Sequence, residues 1–142
     1  MDPVDDAAIR NLIARVAWLT DTWSTTEEYV VNYTDDATWQ ILGTGEVYRG
    51  HDGLKSRLME MLALGVCGPG LPARHLVGSL EIVPGGGSDG AGPLARAFVT
   101  TLTMKDSKPS FSYGEYHDTL RKVGEHWLIH ERLINTVSGW RP

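Results

Sequence analysis

The chain has 142 residues, 42% hydrophobic and 22% charged, an ordinary globular composition that excludes a disordered or fibrous protein. A net charge of -5, with basic residues scattered singly, supplies no face for nucleic acid, and nothing approaches the ~18 consecutive apolar residues of a membrane helix. One cysteine cannot staple the fold and the acidic stretch Met1–Asp6 lacks the regions of a signal peptide, so the expectation is one cytoplasmic domain over residues 1–142.

Pro3, Asp5 and Asp6 suit a helix start, and Ile9, Leu12, Ile13, Val16 and Leu19 recur at helical spacing, predicting a helix from about Asp5 to Thr22. A second helix is expected from the capping-type start at Ser24–Glu28 through Tyr29, Val30 and Tyr33, ending at Asp35-Asp36. The period then changes to two. Thr38–Leu42 reads as a strand, Gly43–Glu46 as a turn, Val47–Arg49 as a short strand and Gly50–Gly53 as a second turn. Leu54, Leu58, Met61 and Leu62 mark a third helix, and the glycines and prolines of Gly65–Pro72 a loop. Longer strands follow at about Ala73–Val83, Leu94–Lys105, Ser110–Val123 and His126–Thr136. The glycine-rich Pro84–Pro93 lacks the Lys-Ser/Thr of a phosphate loop and enters no helix, so a mobile hairpin connection is expected. Asn32-Tyr33-Thr34 matches a glycosylation sequon and is read as chance.

Helices before a run of strands predict an α+β fold whose mostly antiparallel sheet wraps the long helix. By strict alternation Leu76, Leu80 and Ile82 share one face of the first long strand and Val77 and Val83 the other. A sheet apolar on both sides needs cover on both, and a second copy is the natural cover for its outer face, so a homodimer is expected.

Two residues stand out chemically. Asp21 ends the first helix beside an apolar strip of Trp18, Ala17 and Ala14, where a carboxylate needs a partner or a purpose. His75 starts a strand on the face of Val77; paired with a carboxylate, such an imidazole has its tautomer fixed and becomes a general base. His126 and His130 lack an obvious third ligand, Cys67 has no adjacent base, and no nucleotide-binding fingerprint occurs, so neither a metal nor another cofactor is expected.

Several landmarks recur together: Asp21 at the helix end, Tyr33–Trp39 entering the first strand, Tyr48-Arg49-Gly50, Arg74–Gly78, Gly114–Asp118 and Trp127–Arg132. In this order the chain resembles the SnoaL-like, nuclear-transport-factor-2-like superfamily, nearest the branch of scytalone dehydratase and hexachlorocyclohexane dehydrochlorinase. The resemblance implies a cone-shaped half-open barrel, and a catalytic dyad in which the residue matching His75 abstracts a proton from carbon while that matching Asp21 orients it. It also makes Arg132 an active-site arginine and Asp118 a cavity-lining residue. Val16 departs from the dehydrochlorinase, which has a lysine there to assist the leaving chloride, and this speaks against dehalogenation.

Tyr33, Tyr48, Trp18, Trp23 and Trp39 are aromatic candidates for the pocket walls, Trp23 and Trp39 foremost. The expected function is therefore a cofactor-independent lyase or isomerase, dehydratase-like, acting on a small apolar or aromatic molecule, with Asp118 and Arg132 binding or polarising its oxygens. Two rivals stand beside it: a non-catalytic ligand-binding or accessory protein, and epoxide-hydrolase-like activation of water by Asp and Arg residues.

Overall fold

Helix α1 (Pro3–Thr22) starts where the sequence supplies its cap. Asp2 Oδ1 accepts the Val4 N–H at 2.6 Å, Pro3 takes a first-turn position, and Asp5 and Asp6 meet the positive end of the dipole. The structure, a computed structural model, describes residues 1–137. Ile9, Leu12, Ile13, Val16 and Leu19 form the buried stripe that their spacing predicts.

Helix α2 (Thr26–Val30) opens with Thr25 accepting the Glu28 N–H while Glu28 reaches back to the Ser24 N–H. It ends before Tyr33, short of the expected length, because Asn32 stops it. The Asn32 amide donates to the Glu28 and Tyr29 carbonyls, and the Asn32 carbonyl accepts the Ile129 N–H. The backbone is thereby handed to a neighbouring strand, and β1 (Tyr33–Ile41) begins well before Thr38. The short β2 (Val47–Arg49) folds back on β1, and α3 (Gly50–Ala63) begins at Gly50 itself rather than after a separate turn.

Strands β3 (Ala73–Val83), β4 (Leu94–Lys105), β5 (Lys108–Val123) and β6 (His126–Val137) form an antiparallel meander. The six strands lie in the order β2-β1-β6-β5-β4-β3, with β1 parallel to β6. The sheet is curved and does not close, which gives the α+β half-open barrel expected from the order of elements. Helix α1 packs on β3 and β6, and α3 on β1 and β2. At its first turns α1 is tied down by Asp5 Oδ1, which accepts from Trp127 Nε1 at 2.9 Å and from Lys122 Nζ at 3.0 Å.

Strict alternation along β3 does not hold. Its register against β4 slips between Gly78 and Glu81, and Ser79 takes a φ of +50°. The bulge turns the strand over, so Leu80 and Ile82 join Val77 against the core instead of sharing the outer face with Leu76. The outer face is consequently less apolar than two-residue periodicity implies, and its exposed apolar residues include Leu76, Phe98, Phe111 and Tyr113.

The glycine-rich connection between β3 and β4 is held by the sheet, contrary to a loose hairpin. Asp89 accepts the Ala91 and Gly92 N–H groups and pairs with Arg121, while the Ser88 N–H donates to Thr119. Gly92 lies so close to the Leu120 carbonyl that a side chain there would collide with it. The two backbone N–H groups, followed by Arg121, pull the Asp89 carboxyl from 3.8 down to about 2. A carboxyl with a depressed folded pKa adds stability above its unfolded pKa and loses that contribution as the pH falls through the folded value. Asp89→Ala is therefore expected to lower the melting temperature at pH 7, with the gap to the native protein narrowing as the pH falls from 4 toward about 2. Thermal unfolding followed by circular dichroism across this range measures it, and a gap independent of pH would contradict it.

Candidate active site

Asp21 closes α1 where the helix meets β3, which among the described residues is an edge strand paired with β4 alone. The carboxylate takes two hydrogen bonds from one residue. His75 Nδ1 lies 2.8 Å from Oδ1, and the His75 backbone N–H donates to Oδ2 at 2.6 Å. A carboxylate oxygen accepts, so this contact selects the neutral tautomer with the proton on Nδ1 and the lone pair on Nε2. Asp21 is 3% exposed. His75 alternates with Ala73 and Val77 on the inner side of β3 and forms part of the wall of a cavity of about 190 Å³.

The cavity lies between the helices and the sheet. Trp39, Ile41, Met61, Val99 and Ile134 supply apolar walls, and Thr20, Tyr116, Arg57 and Arg132 bring polar groups to it. Behind Arg132 is Asp118, its direct partner across β5 and β6. Arg132 Nε and Nη2 donate to the two carboxylate oxygens, each at 2.8 Å, and both residues are fully buried. The guanidinium carbon lies 4.0 Å from the centre of the Tyr116 ring. Burial, the largest single influence, would lower the Arg132 pKa, but the charge and hydrogen bonds of Asp118 together with Tyr33 and Tyr116 outweigh it and hold the group charged, well above its ordinary value. Burial also pushes the phenols of Tyr29, Tyr33 and Tyr116 up, so they remain protonated; the Tyr29 and Tyr33 hydroxyls share a hydrogen bond of 2.8 Å.

Residues 4–133 match the model of the SnoaL-like domain. The chain belongs to this family. Among solved structures, a Nostoc punctiforme protein of unknown function with a cystatin-like fold superposes with a TM-score of 0.77 at 18% identity, over 97% of this chain and 95% of that one. ActVI-ORFA from Streptomyces coelicolor gives 0.74 at 16% identity, over 92% and 95%. A scytalone dehydratase-like protein from Novosphingobium aromaticivorans gives 0.72 at 20% identity, over 94% and 85%. These likenesses establish the fold and carry no activity across. No curated protein matches the chain.

In this SnoaL-like domain the residues singled out from sequence fall into three groups. Asp21 with His75, and Asp118 with Arg132, come together as pairs; His75, Arg132 and Trp39 reach the cavity. Tyr33 lies behind Tyr29, Tyr48 meets Trp39 edge-to-face and lies beside Arg57 outside the cavity lining, and Trp23 belongs to the core. Trp18 is 72% exposed. It borders, with Ala14, Ala17 and Leu76, a depression on the outside of the Asp21–His75 pair, so the space left by those alanines opens outward. Cys67 touches the cavity, but burial, then the Asp21 charge, pushes its thiol up to about 11, which leaves it without thiolate chemistry at neutral pH.

Tyr116 and Arg57 are among the lining residues that the sequence reading leaves out. Tyr116 alternates with Asp118 along β5, which already places its ring inward. Arg57 lies three residues after Leu54 and four before Met61, on the apolar stripe of α3, so helical spacing alone would have turned it inward.

The buried ion pair gives a stability test. Removing one partner strands a charge, whereas replacing both with apolar groups does not. Asp118→Ala should cost about 3–5 kcal/mol in urea unfolding. The double variant Asp118→Leu/Arg132→Met should cost less than Asp118→Ala alone. A double variant worse than the single one would contradict this.

Proposed function

We propose that this SnoaL-like domain is a cofactor-independent lyase that removes water from a small cyclic substrate. The observation that carries the reading is His75, gripped at ring and backbone by Asp21 while the residue itself lines the cavity, so that Nε2 would be the nitrogen left for a substrate.

Nε2 would take a proton from a carbon next to a carbonyl. The C–H electron pair moves into the carbonyl system as an enolate, and its return forms a carbon–carbon double bond as the neighbouring C–O bond breaks. The departing hydroxyl takes the proton back from the imidazolium and leaves as water. Asp21 balances the transient imidazolium charge, and Arg132, with Asp118 behind it, polarises the carbonyl oxygen. Isomerisation would use the same base with the proton returned elsewhere. The family membership and the dehydratase-like neighbour support this class.

A non-catalytic ligand carrier is the second reading, and one observation favours it. Asp21 also satisfies the backbone N–H of an edge strand, which is useful to the fold without any chemistry. Water activation by an Asp–Arg–Asp set has less support, since Asp118 is spent on Arg132 and Asp21 on His75.

His75→Ala should lower turnover of cyclic hydroxy ketones by about 10²–10⁴-fold, the usual contribution of a general base. Asp21→Asn should remain folded yet lose comparable activity, because the amide can donate to Nδ1 and thereby move the ring proton to Nε2. Full turnover in His75→Ala would end the mechanism, and solvent ¹⁸O in the product would redirect it to hydrolysis. A bound ligand that stays intact for hours, its affinity indifferent to Asp21→Asn, would favour the carrier.

The outer face of the sheet, with Leu76, Phe98, Phe111 and Tyr113 exposed on adjoining strands, supports a homodimer. Sedimentation at micromolar concentration should give twice the chain mass and Phe98→Glu the mass of one chain; a monomeric native protein would refute the dimer.

A further inference from the structure

Arg57 has a different situation from Arg132. Its guanidinium carbon lies 5.6 Å from the centre of the Trp39 ring and 5.2 Å from that of Tyr48. Nη1 donates to Glu60 at 3.1 Å across one turn of α3, and Glu60 is itself about half exposed. Nε is buried and has no hydrogen-bond partner among the described residues. A buried N–H without an acceptor is destabilising, and a fold retains few of them. Nε itself is closed off from the cavity, but Arg57 as a residue borders the same cavity as His75, and its carboxylate partner, Glu60, is half exposed.

The strand order separates the two groups. His75 stands on β3, at one edge of the sheet, whereas α3 carries Arg57 against β1 and β2 at the other. Arg132, on β6 between them in the strand order, has Nε and Nη2 occupied by Asp118 and its charge balanced by that carboxylate. The cation best able to receive an anion is thus the one carried against the strands opposite His75 in the sheet order. An acid group held there would be a permanent anion, distinct from the enolate formed beside His75 during reaction. As for size, an apolar cavity of about 150 Å³ holds benzene, so the cavity of about 190 Å³ suits one ring with a substituent.

We propose that Arg57 anchors a carboxylate of the substrate, and that the ligands of this cavity are small cyclic carboxylates held with the acid group toward α3 and the ring toward His75. This deepens the lyase reading and rests on it for the reaction, but the anchor itself is tested by binding alone. Benzoate and benzamide share shape and differ in charge, and their binding can be followed at pH 7 by calorimetry. The native protein should prefer benzoate by about 10- to 100-fold, the range of a charge-assisted hydrogen bond. Arg57→Met should abolish that preference, with circular dichroism reporting an intact fold. Glu60→Gln, which frees Nη1, should tighten benzoate binding and leave benzamide unchanged, an effect that a purely structural Arg57 would not produce. His75→Ala should retain the preference whether or not His75 is a base, which separates failure of the anchor from failure of the mechanism. The proposal is overturned if the native protein binds benzoate no tighter than benzamide, if Arg57→Met keeps the preference, or if His75→Ala removes it.

Discussion

The fold turns on one carboxylate serving two donors of one residue. Asp21 accepts both the ring and the backbone N–H of His75, and so joins the end of the longest helix to the edge of the sheet. Without it the edge strand would have a part-buried N–H lacking this acceptor, and the imidazole could rotate and choose either tautomer. At the opposite end of α1, Asp5 ties the helix to Trp127 and Lys122 on the last two strands. The helix is therefore fixed across the sheet at both ends by carboxylates, with an apolar stripe between them. The cavity beside His75 takes its position from that double attachment.

A second constraint comes from charge inside the barrel. Arg132 is among the largest fully buried side chains, and only a carboxylate in direct register makes this tolerable. Such a pair contributes little net stability compared with apolar residues, because desolvation of two ions offsets their attraction. Its effect is on the polarity of the site: a charged donor set lies against the ring of Tyr116, in a region that Tyr29 and Tyr33 keep free of further charge. The charge-balanced Arg132 and the incompletely paired Arg57 thus give one cavity two cations of different character.

Much of this was legible because it depends on local periodicity. The stripe from Ile9 to Leu19 and the long strands follow from spacing alone, and Asp118 and Arg132 stand out as opposite charges on adjacent inward-facing strand positions. The failures have physical causes. The end of α2 depends on Asn32 reaching the distant Ile129, which no local pattern contains. The bulge at Ser79 reverses the faces of Leu80 and Ile82, and two-residue alternation cannot foresee a slip in register. Glycine richness suggested a loose connection, yet here the glycines permit close approach to Leu120, and Asp89 and Ser88 supply the hold. Arg57 is the instructive case: it lies on the apolar stripe of α3, a spacing that turns it inward although arginine is ordinarily a surface residue.

The distinction between fold and chemistry at Asp21 comes down to which atom of the carboxylate matters. Oδ2 meets a backbone donor that every residue but proline would present at position 75, whereas Oδ1 meets a ring nitrogen that histidine in particular supplies. A purely structural Asp21 therefore explains the first contact and leaves the second unexplained. That surplus gives the catalytic reading its weight, because an oriented imidazole with a free nitrogen is of little use to a strand and of considerable use to a substrate. The surrounding wall agrees: its surface is mostly apolar, and the polar residues on it, Thr20, Tyr116, Arg57 and Arg132 among them, border the same space as the imidazole.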